Sequence, residues 1–487
     1  MNLLQATTDP KLFAPWFKDE ATWTAWRAFL GALFGLPLSE AEADVYRACT
    51  ARQSLPEAPY SEAWLVCGRR GGKSFIMALT AVYLAAFRDY RQFLSPGERA
   101  TILILAADRR QARVIFRYMQ ALLTEVPMLA RMVARETADE FDLTNRVTIE
   151  VGTSSYRAVR GRTLAAALCD EIAFWPTDDA AEPDYAILDA LRPAMATIPG
   201  AVLLCASSPY ARRGALYDAH RRHFGKDGAP ALVWQAGTRV MNPTIPQSVV
   251  DEALERDLPS ASAEYLAQFR SDVESFISRE VVEAAITRGV VERPPLSKVH
   301  YFAFADPSGG ASDSMTIAVA HREGDRVILD ALRERKAPFS PEAVVSEFSD
   351  LLKRYHLKSV VGDRYAGEWP REAFKRHGIT YEPAEKPKSA LYLDLLPKLN
   401  SGEVDLLDVP ALATQLITLE RRTARGGRDS IDHAPGAHDD VANAVAGAIV
   451  GVGNARRPLI VSREAVLAFA GPGPGRNRDR HRYGSTL

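Results

Sequence analysis

The chain has 487 residues, which at roughly 100 to 200 residues per domain corresponds to about three domains or two large ones and excludes a single small module. Hydrophobic residues make up 47%, charged residues 25% and aromatics 9%, the composition of a folded, soluble protein with sizeable cores, which excludes a disordered or fibrous chain. With 60 Lys and Arg against 61 Asp and Glu the formal charge is -1, so any polyanion must be met by a local patch rather than by the whole surface.

Residues 1–62 read as mostly helical, a lid or appendage carrying Trp16, Trp23 and Trp26. Met1 to Trp16 holds no basic segment followed by an apolar core, and the longest nearly apolar run, Val441 to Val452, is too short for a bilayer, so the chain is expected in the cytosol. Residues 63–259 alternate apolar runs (Ala63–Cys67, Thr101–Ala106, Val147–Val151, Leu164–Cys169, Val202–Cys205) with helical patterns (Ser74–Phe87, Arg110–Leu123). That alternation predicts an α/β domain with a mostly parallel sheet, whose ligands bind at the carboxyl ends of its strands. Residues 260–296 are expected as a helical linker ending at Arg293-Pro294-Pro295.

Residues 297–455 read as a second α/β domain: strand Tyr301–Ala305, a hairpin of Thr316–His321 and Val327–Ala331 around Gly324-Asp325, and helix Pro341–Tyr355. Strand Ser359–Gly362, helices near Glu368–His377 and Ser389–Asn400, strand Val404–Leu407 and helix Asp439–Val452 follow. This βββαβαβα order is that of a ribonuclease H-like sheet. Residues 456–487 form a Gly/Pro-rich, then basic tail (Arg476, Arg478, Arg480, Arg482) expected to be flexible. Cys49, Cys67, Cys169 and Cys205 form no Cys-x-x-Cys pair, which disfavours zinc or a disulfide framework.

The run Gly68-Arg69-Arg70-Gly71-Gly72-Lys73-Ser74 lies between a predicted strand and a predicted helix, the context a Walker A phosphate loop requires. Glycines let backbone N–H groups face phosphates, and the helix N-terminus adds positive potential. Lys73 is then expected at the β/γ-phosphates of ATP and the Ser74 hydroxyl on Mg²⁺; Cys67, where the pattern has glycine, makes the loop a variant. Asp170-Glu171 ends the strand Leu164–Cys169, as a Walker B pair does, with Asp170 on Mg²⁺ and Glu171 beside the attacking water. Ser207-Ser208, after Val202–Cys205, are hydroxyls suited to couple hydrolysis to movement. Arg157, Arg160 and Arg162 precede Walker B and form either a solvated loop or a charge donor to the phosphoryl group in transit.

In the second domain Asp306 and Asp363 end strands and Asp439-Asp440 opens the last helix after His438. Carboxylates from three elements are suited to hold two Mg²⁺ or Mn²⁺ ions for phosphodiester cleavage. Lys386, Lys388, Arg421, Arg422 and Arg428 either line a groove for a DNA backbone or form ordinary solvated surface.

An ATPase with Gly-Arg-Arg-Gly-Gly-Lys-Ser, Cys-Asp-Glu and Ala-Ser-Ser-Pro, then a nuclease with Ala-Asp-Pro, Gly-Asp-Arg and His-Asp-Asp, resembles the large terminase subunit of tailed double-stranded DNA phages over roughly residues 40 to 452. The resemblance implies a P-loop (RecA/ASCE-like) packaging ATPase followed by a ribonuclease H-like, metal-dependent endonuclease. Residue by residue it places Gly68, Arg69, Arg70, Gly71, Gly72, Lys73 and Ser74 in Walker A, Asp170 and Glu171 in Walker B, and Ser207 and Ser208 in the coupling motif. It puts the nuclease triad on Asp306, Asp363 and Asp440, with Asp439 as a supporting or alternative ligand, and matches Gln53 to the adenine contact. From the Arg-Gly-Arg loop itself, Arg160 is expected as a finger reaching the nucleotide of a neighbouring subunit, with Arg157 and Arg162 the other candidates. The implied partners are double-stranded DNA, the portal of an empty capsid, a small terminase subunit and further copies in a ring, all in the host cytoplasm. Two rivals are a helicase-like remodelling ATPase, which has no reason for the second site, and a catalytically silent scaffold, which has no reason for intact Lys73, Glu171 and three acids.

Overall fold

The computed structural model describes residues 1–154, 161–175, 183–311, 313–363, 368–423, 429–434 and 437–454. Eight strands make the first sheet: β1 (Glu62–Cys67), β2 (Ala100–Ala106), β3 (Val133–Glu136), β4 (Glu140–Leu143), β5 (Val147–Thr153), β6 (Thr163–Asp170), β7 (Val202–Ser207) and β8 (Leu232–Ala236). Their order is β3-β4-β5-β2-β6-β7-β1-β8, parallel except where β4 pairs with β3 and β5. β1, β2, β6 and β7 are buried almost from end to end, which is why they read as unbroken apolar runs rather than alternating ones. β3, β4 and β8 escaped the sequence reading. The first two are short and mostly polar, and β8 is a run of five residues.

The N-terminal helices are built into this core. Leu3, Trp26, Phe29 and Leu33 are buried in the same cluster as Trp64 and Leu65 of β1, and Phe29 meets Trp234 of β8 edge-on, with ring centroids 5.5 Å apart.

The remaining strands are β9 (Val273–Ser275), β10 (Ile286–Thr287), β11 (Tyr301–Asp306), β12 (Met315–Glu323), β13 (Arg326–Arg335), β14 (Ser359–Gly362), β15 (Thr380–Pro383), β16 (Val404–Leu407), β17 (Leu419–Thr423) and β18 (Asp429–His433). Seven form a second sheet, β10-β16-β13-β12-β11-β14-β15. The last five of these, with β13-β12-β11 antiparallel and β11-β14-β15 parallel, have the ribonuclease H-like arrangement. Successive residues alternate between two cores. Ala303, Ala305, Ile317 and Val319 face the helices Pro341–Arg354 and Trp369–Arg376, whereas Phe304, Ala318 and Ala320 face Lys388–Asn400 and Asp440–Asn454.

Two expectations need correcting. The fifth strand of the ribonuclease H-like order is β15, not Val404–Leu407, which pairs with β13 on the other side of the sheet. Residues 260–296, expected as a helical linker, carry β9 and β10, and Phe276, Ile277 and Val282 belong to the second core. β9 pairs with β17, which pairs with β18, giving a third sheet of three strands.

The two lobes meet at a buried carboxylate. Glu420 of β17 is fully buried and accepts from the Tyr210 hydroxyl at 2.7 Å, from Arg213 and from Arg422 at 3.2 Å. No helix among the described residues is long and apolar enough to cross a membrane.

Candidate functional site

Parallel strands deliver the first group of side chains to one end of the first sheet. β6, β7 and β1 are neighbours, with Asp170 paired to Ala206 and Ser207 to Val66, so Asp170, Glu171, Ser207, Ser208 and the loop after Cys67 share their carboxyl ends. The loop turns at Gly72, whose φ of +102° a side chain rarely adopts, and helix Lys73–Phe87 begins immediately after it. Cys67 explains the departure from the standard pattern: its buried thiol sits under Gly71, 3.6 Å from the Gly68 carbonyl oxygen, and burial pushes its pKa up to about 11. It is a packing group, and all four cysteines are buried and free.

Lys73 is buried, and its Nζ lies 3.1 Å from the Cys67 carbonyl, 3.2 Å from Ser208 Oγ and 3.2 Å from Glu171 Oε1. Burial alone would lower its pKa; the Glu171 carboxylate beside it holds it above the ordinary value. Glu171, in the left-handed region at φ 49°, has its other oxygen 3.0 Å from both Ser207 Oγ and the Ser208 backbone N–H. The expected coupling serines therefore touch the expected catalytic acid and the expected phosphate lysine directly.

Asp170 is buried, and burial together with the neighbouring Glu171 raises its carboxyl well above the ordinary range, Lys73 opposing. Its Oδ2 lies 3.4 Å from Ser74 Oγ, while Oδ1 is buried with no partner among the described residues. A hydroxyl and a carboxylate with an unmatched oxygen fit a nucleotide-bound Mg²⁺.

The other first-site expectations divide. Arg70 is exposed on the loop, with its carbonyl held by Asn242 Nδ2 at 3.0 Å. Arg69 is committed elsewhere, pairing with Glu264 at 3.1 Å. Gln53 is misplaced: its backbone N–H donates to Asp227, in the loop entering β8, and β8 runs parallel to β1, so Gln53 sits at the amino ends of the strands, opposite the phosphate loop. Arg162 pairs with Glu150 of β5 at 2.6 Å, and three strands lie between β5 and β1. Arg157 and Arg160 lie outside the described residues. Sequence reasoning missed Trp26, whose buried Nε1 donates to the Gly71 carbonyl at 2.9 Å, and Thr238, whose hydroxyl donates to the Arg69 carbonyl at 2.7 Å. A buried tryptophan 45 residues upstream of the loop carries no local signal of that contact.

The second group lies on the second sheet. Ala305 of β11 pairs with Gly362 of the parallel β14, so Asp306 and Asp363, one residue further on each strand, emerge side by side. Helix Asp440–Asn454 brings up Asp440, with its carbonyl tied to Thr316 of β12 at 2.7 Å. Burial first, then the charges of Asp440, Asp363 and Asp439, push Asp306 up to about 8, while a 2.8 Å hydrogen bond from Asn443 Nδ2 opposes the rise. Burial and Asp439 push Asp440 up to about 6 against the pull of exposed His438. Asp440 Oδ2 and Asn443 Oδ1 are buried without partners among the described residues. Carboxylates that raise one another, with unmatched oxygens, fit divalent cations.

Asp439 behaves differently from its neighbour. It is engaged by Lys388 Nζ at 2.9 Å and by the Tyr392 hydroxyl at 2.9 Å, so of the pair only Asp440 keeps an unpartnered oxygen. Burial would lower Lys388, but Asp439 and then Asp432 hold its pKa above the ordinary value. The expected DNA-groove residues are largely occupied: Lys386 pairs with Asp394, Lys388 with Asp432 and Asp439, Arg421 with Asp429, and Arg422 with Glu420. Arg428 lies outside the described residues. Asn443 is the site residue the sequence reading missed; its spacing of one helical turn after Asp440 was the available signal.

No family model matches the chain, and no curated protein matches it. Among solved structures it is similar to the bacteriophage HK97 large terminase, at 16% identity and a TM-score of 0.35, over 81% of this chain and 91% of that one. The large terminase of a thermophilic bacteriophage, solved in complex with ADP, aligns at 11% identity and a TM-score of 0.36 over 80% of this chain and 94% of that one. The large terminase nuclease of thermophilic phage G20c with bound magnesium aligns at 20% identity and a TM-score of 0.31, over 36% of this chain and 96% of that one. These three solved structures are large terminases, or a large terminase nuclease, of different phages.

Proposed function

We propose that the chain is a viral DNA-packaging motor and endonuclease: ATP hydrolysis on the first sheet drives double-stranded DNA into a preformed capsid, and the second sheet cuts concatemeric DNA to begin and end packaging. The observation that carries this reading is the presence in one chain of two separate groups at strand carboxyl ends, Lys73 with Ser74, Asp170 and Glu171, and Asp306 with Asp363 and Asp440. A remodelling ATPase accounts only for the first.

Mg²⁺, when bound, would neutralise phosphate charge at the first site, and two Mg²⁺ or Mn²⁺ ions would activate water and stabilise the leaving oxygen at the second. The chain's own groups supply the rest. Lys73 exchanges Glu171 for the β/γ-phosphate oxygens, and Glu171, released, orients the water and accepts its proton. Ser207 and Ser208 bond to Glu171, so this exchange is felt on β7 and in the loop leading to Tyr210. Ser74 and Asp170 would hold the nucleotide's metal. Asp306, Asp363 and Asp440 would hold the nuclease metals, with Asn443 orienting Asp306. Arg160 is the proposed finger onto the next subunit's nucleotide. The portal, a small subunit and a ring of copies in the host cytoplasm are the proposed partners.

The test is a crossed pair of variants of the full chain. Lys73→Ala should abolish phosphate release from ATP and leave Mn²⁺-dependent plasmid cleavage intact, and Asp306→Asn should do the reverse. Equal loss of both activities in a folded variant, or no cleavage by the wild type in Mn²⁺, overturns the reading.

A further inference from the structure

The tightest set of metal-ligating side chains among the described residues is not the Asp306 group. One ligand atom each from Asp432, His433 and Asp439 lie within 4.8 Å of one another. His433 Nδ1 donates to the Ala434 carbonyl oxygen at 2.9 Å, and its Nε2 stands 3.9 Å from Asp432 Oδ1. The seat already has a cation in it. Lys388 Nζ stands 3.0 Å from Asp432 Oδ1, 2.9 Å from Asp439 Oδ2 and 3.2 Å from Asp439 Oδ1.

We propose that Lys388 is a positioning residue of the nuclease centre, a built-in cation filling a metal-sized seat between Asp432, His433 and Asp439. Lys388 and Tyr392 lie one turn apart on helix Lys388–Asn400 and both hold Asp439, the first as a charge and the second as a hydroxyl donor. Both carboxylate oxygens of Asp439 are thereby engaged, while its carbonyl accepts the Tyr392 hydroxyl at 3.3 Å and the Asn443 backbone N–H at 2.7 Å, the latter being the bond that starts the helix carrying Asp440 and Asn443. A tethered ammonium does this at any metal concentration. A divalent ion in the same seat would do it only when bound. β18 supplies Asp432 and His433, so Lys388 also staples the β17–β18 hairpin to the edge of the site.

The inference rests on the reading of this lobe as a metal-dependent nuclease, and Mn²⁺ counting by electron paramagnetic resonance on the full chain separates the two. Lys388→Met, which keeps the aliphatic stem, should bind one Mn²⁺ more than the wild type, and Asp432→Ala added to it should return the count to the wild-type value. Cleavage by Lys388→Met should fall about 10- to 100-fold, the usual cost of losing a group that orients a ligand, and Lys388→Arg should recover most of it without the extra ion. Asp432→Ala alone should leave the count unchanged, which also covers the case in which Lys388→Met does not fold. An unchanged count in folded Lys388→Met, or a count lowered by one in Asp432→Ala, overturns the role of Lys388 while the wild type still cleaves. A wild type that neither binds Mn²⁺ nor cleaves overturns the nuclease reading instead.

Discussion

Gly447 offers a test of the second site that touches none of its acids. It lies in helix Asp440–Asn454, seven residues past Asp440, where the helix crosses Phe304 of β11. A Cβ there would stand 2.2 Å from Phe304 Cγ and 2.3 and 2.5 Å from the two Cδ atoms. Ordinary contact begins at 3.4 Å, so Gly447→Ala is short of room by about 1.2 Å. The ring is 2% exposed and cannot swing into solvent, so helix and strand must part. Overpacking of this kind costs about 1 to 3 kcal/mol, and in a lobe of this size each kcal/mol lowers the melting temperature by roughly 2 to 4 °C. The same displacement carries Asp440 and Asn443 away from Asp306, two residues past Phe304, and a misplacement of about 1 Å costs about 10²-fold in rate. Plasmid cleavage in Mn²⁺, phosphate release from ATP and a calorimetric melt on the purified chain would report the three effects: cleavage down, ATPase unchanged, melting lowered. Wild-type cleavage with an unshifted melt would refute the claim that this close crossing sets the distance between the acids.

Glu420→Ala should strip a fully buried acceptor from Tyr210, Arg213 and Arg422, costing roughly 1 to 3 kcal/mol because the two guanidinium groups keep some contact with water. A calorimetric melt should then resolve two transitions where the wild type gives fewer, and an unchanged thermogram would show that the lobes are held elsewhere. The pH dependence follows from Asp306, whose carboxyl is pushed up to about 8 by desolvation and the neighbouring acids, from an ordinary value of 3.8. Between those values the folded chain keeps a proton that the unfolded chain has lost, so this group's contribution to stability falls as pH rises through that window. In chelator, wild type minus Asp306→Asn should therefore lose melting temperature from pH 5 to pH 8, and Mg²⁺ should stabilise the wild type more at pH 8 than at pH 6; a flat difference contradicts the raised carboxyl of Asp306.

The grouping of both sets of candidate residues is legible in the sequence because the signals are local. Gly68 to Ser74 lies between a strand and a helix, and Asp170, Glu171, Asp306 and Asp363 end strands that are short apolar runs. What was not legible depends on pairing at a distance. β15 is Thr-Tyr-Glu-Pro with one buried residue, too polar to announce itself, whereas the apolar Val404–Leu407 presents the stronger strand signal although it pairs with β13. Asp439 and Asp440 are identical in sequence terms. Lys388, 51 residues earlier, distinguishes them. Gln53 lay at a plausible distance before the phosphate loop, but the chain enters β1 from the opposite end of the sheet, which spacing alone does not reveal.

The route of the chain through β9 and β10 governs how the protein can be dissected. Pro294-Pro295 looks like the natural place to cut, yet a C-terminal fragment starting there would lose β9 from β17 and β10 from β16. Two strands would present bare N–H and C=O groups to water, and Phe276, Ile277 and Val282 would leave holes in the core beneath them. Bare edges of this kind are templates for pairing with another copy, so such a fragment should self-associate. A fragment beginning before Val273 keeps both edges covered and is the smaller unit with a complete sheet.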